Sequence, residues 1–313
     1  IERSGATGLV DVLARLPGIQ IVRNGGVGNN ANVFLRGAEG RFTAVYSDGV
    51  RVDSQASGGA AWEQIPLAQI DRIEVLRGPA AAVYGSDAIG GVIQLFTRKG
   101  EGAFAPYVGV GIGTHNTRKL EAGLSGSAGV DGAFDYALGL TRAQSDGYDI
   151  KSGAGHNTDK DGYSATSGNA RVGFKVNARH RLDATLLGQY MNSGYDTSPV
   201  PVDDRNKNRL RTAGLTWAAQ WTDAYTMRLS LTDTLSRYET DPSPYRTETQ
   251  LRGYLWQNEF RLGAHLFTAA LERREDALNN PALDEWSKTI DRERSQNALA
   301  LGYGYHAGAH SLQ

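Results

Sequence analysis

The chain has 313 residues, a formal net charge of −1 at pH 7 and no cysteine. The near-zero charge gives no indication of nucleic-acid binding, and the absence of cysteine excludes disulfides and thiolate metal sites. A chain of this length is long enough for two domains. No apolar run approaches the roughly 18 residues that a transmembrane helix needs, but a membrane-spanning strand needs only about ten alternating residues.

The first hundred residues combine short β-branched runs with glycine-rich loops. Apolar residues at helical spacing cover 10–16, and Pro17-Gly18 ends this pattern. Short strands are predicted at 19–23, 33–36 and 42–47, separated by polar loops. Together these elements predict a small mixed α/β domain.

Two apolar runs frame the stretch 71–98. The first ends at Gly78-Pro79, which is a strong turn signal, and the second covers 92–96 after a glycine pair. Both runs are typical of buried strands, and one helical turn is predicted between them at 80–84. The residues alone predict only a compact βαβ-like unit, which many soluble folds contain.

The order of residues in this stretch carries more information than their periodicity. I-E-V-L-R-G-P (73–79), followed by V-Y-G-S-D-A-I-G-G-V-I (83–93), resembles the plug-domain signature of TonB-dependent outer-membrane receptors. Three upstream segments occur in the family's order: L-V-D-V-L-A-R-L-P-G-I-Q-I (9–21), V-F-L-R-G (33–37) and D-G-V-R (48–51). The joint pattern is highly specific, although no single piece would be.

Within this family, N-G-G-V-G (24–28) and the unbroken G-S-D-A-I-G-G-V (85–92) are most similar to the cobalamin (vitamin B12) receptors. The resemblance implies a monomeric outer-membrane receptor that takes up cobalamin by active transport, coupled to a periplasmic TonB-type protein. A ferric siderophore or haem receptor is the alternative within the class. A passive adhesin or phage-receptor barrel and a soluble β-rich enzyme are the alternatives outside it, but G-x-S-x-G and H-E-x-x-H motifs are absent.

After the first hundred residues, apolar and polar residues alternate with period two. Ala213, Leu215 and Trp217, for example, alternate with Thr212 and Thr216. About ten such strands are predicted, with short turns near 130–132, 178–181, 222–224 and 263–265, and long polar loops near 145–164, 194–209, 239–250 and 278–292. Short turns on one side, long loops on the other and aromatic residues near strand ends are typical of an outer-membrane barrel. Alternation alone would equally fit a soluble sandwich, and the plug signature decides for the barrel.

The predicted fold is therefore an α+β plug domain over 1–100, followed over 101–313 by antiparallel transmembrane β-barrel strands. Ten strands cannot close around such a plug, because plugged transporters have about 22 strands and an open sheet edge in lipid is very costly. We therefore interpret the second region as the first part of a barrel. Ile1-Glu2-Arg3 shows no initiator Met or signal sequence, so we expect the natural start, with the coupling segment, to lie upstream.

The alternation also predicts the orientation of individual side chains. Those expected to face lipid are Phe174, Leu215, Trp217 and Leu229, and those expected to face the lumen are Lys175, Thr216 and Arg228.

Two predicted loops on the same rim are rich in carboxylates. Asp149 and Asp161 lie at the two ends of the first loop, and Asp196 and Asp203 at the two ends of the second. Crowded carboxylates repel one another unless a hard cation neutralises them, and Ca²⁺ takes six to eight oxygen ligands. The motif D-K-D-G (159–162) does not open an EF-hand, because Ala170 stands where a bidentate Glu is required. Spacing alone leaves a solvated acidic rim as the competing interpretation.

The similarity to cobalamin receptors, whose acidic loops bind calcium at corresponding places, implies calcium as a cofactor of these loops. The implied ligands are Asp149, Asn157, Asp159, Asp161, Tyr195, Asp196 and Asp203.

The same resemblance implies which residues contact the transported ligand. They are Asn30, Asn32, Glu39, Ser57 and Gly58 in plug loops, and Thr197 in the second acidic loop. Amides and hydroxyls on glycine-rich loops suit a large polar ligand that carries amide groups, whereas ordinary loop chemistry is the alternative. The resemblance further implies that Arg36, Arg51, Glu74 and Arg77 form structural ion pairs, some of them with the inner barrel wall.

Overall fold

The computed structural model describes residues 5–80, 84–85, 87–151, 157–196, 202–285, 287–308 and 310–312. Within these residues the chain forms a plug, made of two small sheets and a short helix, and one large antiparallel sheet that curves around it. The last plug strand ends at Thr97, and the first strand of the large sheet begins at Ala105. No helix in the described part of the chain has the length and apolarity needed to cross a bilayer.

The plug contains one helix and six strands in its described residues. They are α1 (Leu9–Leu13), β1 (Ile19–Arg23), β2 (Ala31–Leu35), β3 (Thr43–Ser47), β4 (Val50–Arg51), β5 (Ile70–Arg77) and β6 (Gly91–Thr97). Strands β1 and β2 form a separate hairpin, and the other four form a sheet in the order β4-β3-β6-β5. Short 3₁₀ turns cover Gly40–Phe42, Trp62–Gln64 and Leu67–Gln69.

The unit around 71–98 is not a βαβ unit, which corrects the prediction from the residues alone. Strands β5 and β6 are antiparallel neighbours, with Val75 opposite Ile93, and the parallel partner of β6 is β3. The connection folds back on itself, because the Gly78 N–H donates to the Gly90 carbonyl at 3.1 Å and extends the ladder. Most of the helical turn predicted at 80–84 lies outside the described residues.

The hydrophobic core of the plug extends into the wall of the large sheet. Leu13, Val33, Leu35 and Leu95 are completely buried in this core. Leu210, which belongs to the large sheet, is 2% exposed and packs into the same cluster. Burying a leucine side chain stabilises a fold by about 1.5–3 kcal/mol, so plug and wall hold each other through apolar contact as well as through polar bonds.

The large sheet contains eleven strands among the described residues, each antiparallel to its neighbours in chain order. They are β7 (Ala105–Gly113), β8 (Thr117–Ala128), β9 (Phe134–Ser145), β10 (Tyr163–Asn177), β11 (His180–Gly194), β12 (Arg205–Thr222), β13 (Tyr225–Asp241), β14 (Tyr245–Leu262), β15 (His265–Asn280), β16 (Ile290–Ala307) and β17 (His310–Leu312). This confirms the predicted plug followed by antiparallel barrel strands.

Most of the predicted connections have the expected lengths, with one correction. The short turns lie where the sequence predicts them, and longer loops follow β9, β11 and β15. The long loop predicted at 239–250 is instead a three-residue turn, because β13 and β14 continue to Asp241 and Tyr245. Arg237 pairs with Glu248 across these strands at 2.5 Å. The polar residues there form cross-strand ion pairs above the apolar band, so their polarity does not mark a loop.

The two faces of the sheet differ as the alternation predicts. Thr234 and Arg171 contact the plug and define the lumen face, and Thr216 bonds to Ser230 on that face. Phe174 and Leu215 lie exposed on the outward face. One outward row of successive cross-strand partners consists of Leu182, Trp217, Leu229, Trp256, Leu271 and Leu299.

Aromatic side chains gather at the end of the sheet that carries the short turns. The ring centroids of Trp217 and Trp221 lie 5.7 Å apart in an edge-on arrangement, and both rings contact His180. Farther along the sheet, Tyr225 stacks on Phe260 with ring centroids 4.5 Å apart. Aromatic girdles of this kind mark the level at which a barrel meets the membrane surface.

We expect Leu215→Lys to destabilise the complete protein by about 2–4 kcal/mol, because it places a charge on the lipid-facing side of β12 near mid-membrane. The neighbouring Thr216→Lys is the matched control, since its side chain points into the lumen. Both variants would be refolded into lipid vesicles and their unfolding free energies compared. Equal losses at the two positions would contradict the assignment of the faces.

Candidate functional site

The loops 146–162 and 195–204 meet at one end of the sheet, above a plug loop at 24–30. The Gly194 N–H donates to the Gly162 carbonyl at 2.8 Å and joins the two acidic loops. Ile150 lies against the plug loop, with its Cδ1 3.0 Å from where a Cβ on Gly25 would stand. The acidic loops and the top of the plug therefore form one surface.

Three predicted carboxylates converge on this surface. Asp149, Asp161 and Asp196 each offer an oxygen within 4.8 Å of the others, and we call these three residues the acidic cluster. Asp161 also accepts a hydrogen bond from the Ile150 N–H at 3.1 Å. That bond links the cluster to the residue that packs on the plug loop.

Burial raises the pKa of Asp161 from its ordinary 3.8 to about 6. The hydrogen bond from Ile150 opposes this rise in pKa, and the negative charges of Asp196, Asp159 and Asp149 add to it. Because its pKa is higher in the folded state, Asp161 makes the folded state less stable as it ionises between about pH 4 and pH 6. Above that range a cation bound at the cluster would offset the repulsion.

Asp159 adds a second indication of a cation. Its carboxylate oxygen Oδ1 is buried and makes no hydrogen bond within the described residues, and its charge acts on Asp161. Buried polar atoms are rarely left without a partner. The set of carboxylate oxygens fits the donor chemistry of a hard cation such as Ca²⁺.

The remaining predicted calcium ligands occupy different places. The Asn157 side-chain amide donates to the Val202 carbonyl at 3.1 Å and so ties the two loops together. Tyr195 precedes Asp196, and its N–H donates to the Asp204 carbonyl. Asp203 does not join the acidic cluster, because its exposed carboxylate pairs with Arg205 at 3.4 Å.

The predicted ligand-contacting residues of the plug are exposed. They are Asn30, Asn32, Glu39, Ser57 and Gly58, whereas Thr197 lies outside the described residues. The loops that carry Glu39 and Ser57 touch, since a Cβ on Gly59 would stand 3.0 Å from the Gly40 carbonyl carbon. Glu39 pairs with Arg41 at 2.7 Å on this open surface.

An ion-pair network connects the plug to the wall below this surface. Arg51 pairs with Asp53 at 2.6 Å and with Asp87 at 2.9 Å, both in the plug, and with Asp276 of β15 at 3.3 Å. Arg294 of β16 also pairs with Asp276. Of the four residues expected to form structural pairs, Arg51 thus reaches the wall.

The other expected pairs differ, and one charged bond to the wall is among the contacts that sequence reasoning missed. Glu74 pairs with Arg72 of its own strand on the exposed surface, and Arg36 and Arg77 are exposed. Asp48 accepts a hydrogen bond from Arg171 of β10 at 3.0 Å, which the sequence did not single out. The only signal for it was the position of Asp48 in the D-G-V-R motif.

A family model of the TonB-dependent Receptor Plug Domain matches residues 1–92. This match, together with a plug that contacts an antiparallel wall, confirms the predicted class: the chain contains the plug and part of the β-barrel of a TonB-dependent outer-membrane receptor. The location predicted from the resemblance, the outer membrane, follows from the class.

The chain is also similar to curated transporters. The vitamin B12 transporter BtuB of Photobacterium profundum is 37% identical over 306 residues, which are 96% of this chain and 49% of that protein. BtuB of Vibrio vulnificus is 38% identical over 151 residues, which are 48% of this chain and 24% of that protein. The chain spans about half the length of the first of these relatives.

Solved structures share the fold at much lower identity. The ferric enterobactin receptor PfeA of Pseudomonas aeruginosa, in a mutant form, superposes with a TM-score of 0.77 at 18% identity, covering 98% of this chain and 54% of that one. The FrpB iron transporter of Neisseria meningitidis gives a TM-score of 0.79 at 15% identity, with coverage of 98% and 54%. These likenesses concern the architecture alone.

We expect Asp161→Asn to slow hydrogen exchange of the loop 146–162 at pH 7.5 in the presence of a chelator. The substitution removes one of the mutually repelling charges, and the side-chain oxygen can still accept the bond from Ile150. Asp203→Asn is the control, because it removes a loop carboxylate outside the acidic cluster. Equal effects of both variants in exchange mass spectrometry would show that the cluster has no special electrostatic role.

Proposed function

We propose that the complete protein is an outer-membrane transporter for cobalamin, driven through a periplasmic TonB-type energy-coupling protein. The observation that supports this most directly is the 37% identity to a vitamin B12 transporter over 306 residues. At 96% of the chain, that similarity spans both the plug and the acidic loops. The proposal involves binding and movement of the ligand and no chemical conversion of it.

In this proposal, cobalamin binds from outside between the top of the plug and the acidic loops. Asn30, Asn32 and Ser57 offer exposed amide and hydroxyl groups there, and such groups suit a large ligand with many amides. Glu39 and Gly58 are also exposed, and Thr197 belongs to the second acidic loop. The surface that receives the ligand would then be mainly polar. Its hydrogen bonds would fix the orientation of the ligand, and apolar burial would contribute less to binding.

We further propose that the acidic cluster binds Ca²⁺. Asp149, Asp161 and Asp196 would supply oxygens from two different loops, with Asp159 and the carbonyl of Tyr195 beside them. A cation held this way joins the loops 146–162 and 195–204 and fixes them above the plug. Ligand binding then needs less ordering of these loops, so calcium and cobalamin should strengthen each other's binding by linkage.

The ion pairs between plug and wall suit a plug that is displaced and then returns. Leaving one partner of a buried ion pair alone costs about 3–5 kcal/mol. Here Arg51 would retain Asp53 and Asp87 on the plug side, and Asp276 would retain Arg294 on the wall side. Each charge therefore has a second counter-ion that stays with it, which lowers the work required from the coupling protein.

A siderophore receptor remains the alternative within the class. The structural likeness to the ferric enterobactin receptor and to the iron transporter FrpB is at 18% and 15% identity. Such likeness supports the shared fold and carries no information on the ligand. The sequence similarity therefore favours cobalamin.

We expect the purified complete receptor to bind cyanocobalamin far more tightly than ferric enterobactin or another ferric siderophore. The reason is that the exposed plug residues Asn30, Asn32 and Ser57 offer amide and hydroxyl groups to the ligand. Fluorescence or calorimetric titration with both ligand classes measures this. Tight siderophore binding without cobalamin binding would refute the proposed substrate.

We expect a chelator to weaken cyanocobalamin binding to the wild-type receptor by about tenfold, a coupling of roughly 1.4 kcal/mol. The chelator effect should disappear in Asp161→Asn and persist in Asp203→Asn, because only the former carboxylate belongs to the acidic cluster. Affinity would be measured for all three proteins with calcium and with chelator. An unchanged wild-type affinity would leave the acidic loops as a solvated rim.

A further inference from the structure

A continuous network of buried amide and hydroxyl groups joins the plug loop 24–30 to the wall. Asn29 lies in the plug, and Asn206 and Asn208 lie on the lumen face of β12; all three are less than 10% exposed. Asn206 Nδ2 donates to Asn29 Oδ1 at 3.1 Å, and Asn208 Nδ2 donates to the Gly28 carbonyl at 3.2 Å. The two wall residues are also bonded to each other, from Asn208 Nδ2 to Asn206 Oδ1 at 2.7 Å.

The network continues in both directions from these residues. Towards the outer surface, Asn29 Nδ2 donates to the Gly194 carbonyl at 3.1 Å, two residues before Asp196. Towards the interior, Gln64 Nε2 donates to Asn208 Oδ1 at 3.3 Å, and Ser236 Oγ donates to Gln64 Oε1 at 2.6 Å. The chain of bonds thus links the second acidic loop to the buried 3₁₀ turn at 62–64.

Close packing of Gly28 against the wall also holds the plug loop 24–30 in place. Gly28 has φ +90°, a conformation that other residues rarely adopt, and it is buried against β11. A Cβ on Gly28 would stand 2.4 Å from Ser193 Oγ and 2.6 Å from Met191 Sδ. Only glycine lets the loop come close enough for Asn29 to reach Gly194 and Asn206.

We infer that Asn29, Asn206 and Asn208 are positioning residues that hold the plug loop 24–30 in its ligand-binding conformation. Asn30 follows the anchored pair Gly28-Asn29 directly and is exposed, so fixing its predecessors fixes the position from which its amide reaches outward. This inference rests on the proposed function for the role of Asn30 in ligand binding. The anchoring itself does not depend on the identity of the ligand.

Neutral amides are suited to this task in a way that ion pairs are not. Each amide both donates and accepts, so removing one member leaves a buried partner unsatisfied and the loss spreads along the network. The bonds carry no net charge. A loop that is released from the wall occupies its binding conformation for a smaller fraction of the time, and the apparent affinity falls in proportion to that fraction.

The test compares Asn208→Asp and Asn29→Ala with the wild type in the complete receptor. Asn208→Asp removes the donors to Gly28 and Asn206 and retains shape, and Asn29→Ala alters only the plug, so the wall sequence is unchanged. Thr141→Val is the matched control, because it removes one plug–wall hydrogen bond, from Gln69, that does not belong to this network. Hydrogen exchange of 24–30 without ligand and cyanocobalamin affinity are both measured.

We expect exchange of 24–30 to quicken by roughly tenfold in both asparagine variants, with a fall in affinity of similar size and an unchanged exchange pattern in Thr141→Val. Unchanged exchange of 24–30 in Asn29→Ala would overturn the anchoring. Quicker exchange with unaltered cobalamin affinity would overturn the positioning role. If the wild type binds no cobalamin, the proposed function fails, and the exchange measurement still decides whether the wall anchors the loop.

Discussion

The interaction on which the rest of this structure depends is the contact between the plug and the inner face of the wall. A barrel wide enough for a large ligand has a polar lumen, and a plug can stay in it only if the facing polar groups find partners. The plug meets the wall through three kinds of contact that differ in strength and reversibility. The apolar contact at Leu210 is non-directional, the ion pairs of Arg51 and Asp48 are charged, and the Asn29–Asn206–Asn208 bonds are neutral.

The charged and the neutral contacts lie on different strands of the large sheet. The charged contacts lie on β10 and β15. Two of their carboxylates also have a partner on their own side of the contact: Asp276 pairs with Arg294 of the wall, and Asp48 accepts a hydrogen bond from Thr97 of the plug. The amide contacts of Asn29 lie on β11 and β12, next to the acidic loops. A charged contact can exchange partners when the plug moves, whereas an amide network specifies one geometry. In the proposed function, ligand binding and release of the plug would thereby depend on different bonds.

Much of the fold can be predicted from sequence because period-two alternation reports directly on which face of a strand meets lipid. The alternation predicts the correct faces for Leu215 and Thr216 for that reason. It carries no information above the lipid band, where both faces are polar. The loop predicted at 239–250 is wrong for this reason, since Arg237 and Glu248 continue the strands as an ion pair.

The candidate site can be predicted less completely. Asp149, Asp161 and Asp196 converge as the loop pattern suggests, but the sequence does not show that Asp203 pairs with Arg205. The amide network gives no signal at all, because Asn206 and Asn208 alternate with Lys207 and Arg209 and both faces there are polar. The partners Asn208 and Gly28 lie 180 residues apart in sequence. Only the folded arrangement reveals that such residues act together.

In the proposed transport cycle, the apolar contact made by Leu210 opposes displacement of the plug from the wall. Its side chain belongs to the plug's own core although its backbone belongs to the barrel. Pulling the plug away exposes this leucine and its neighbours to water, at a cost of about 1.5–3 kcal/mol for each large apolar side chain. That energy is stored only while the pull lasts and is recovered when the surfaces meet again. In that proposed cycle, the apolar contact between plug and barrel would favour return of the plug to its original position once the pull ends.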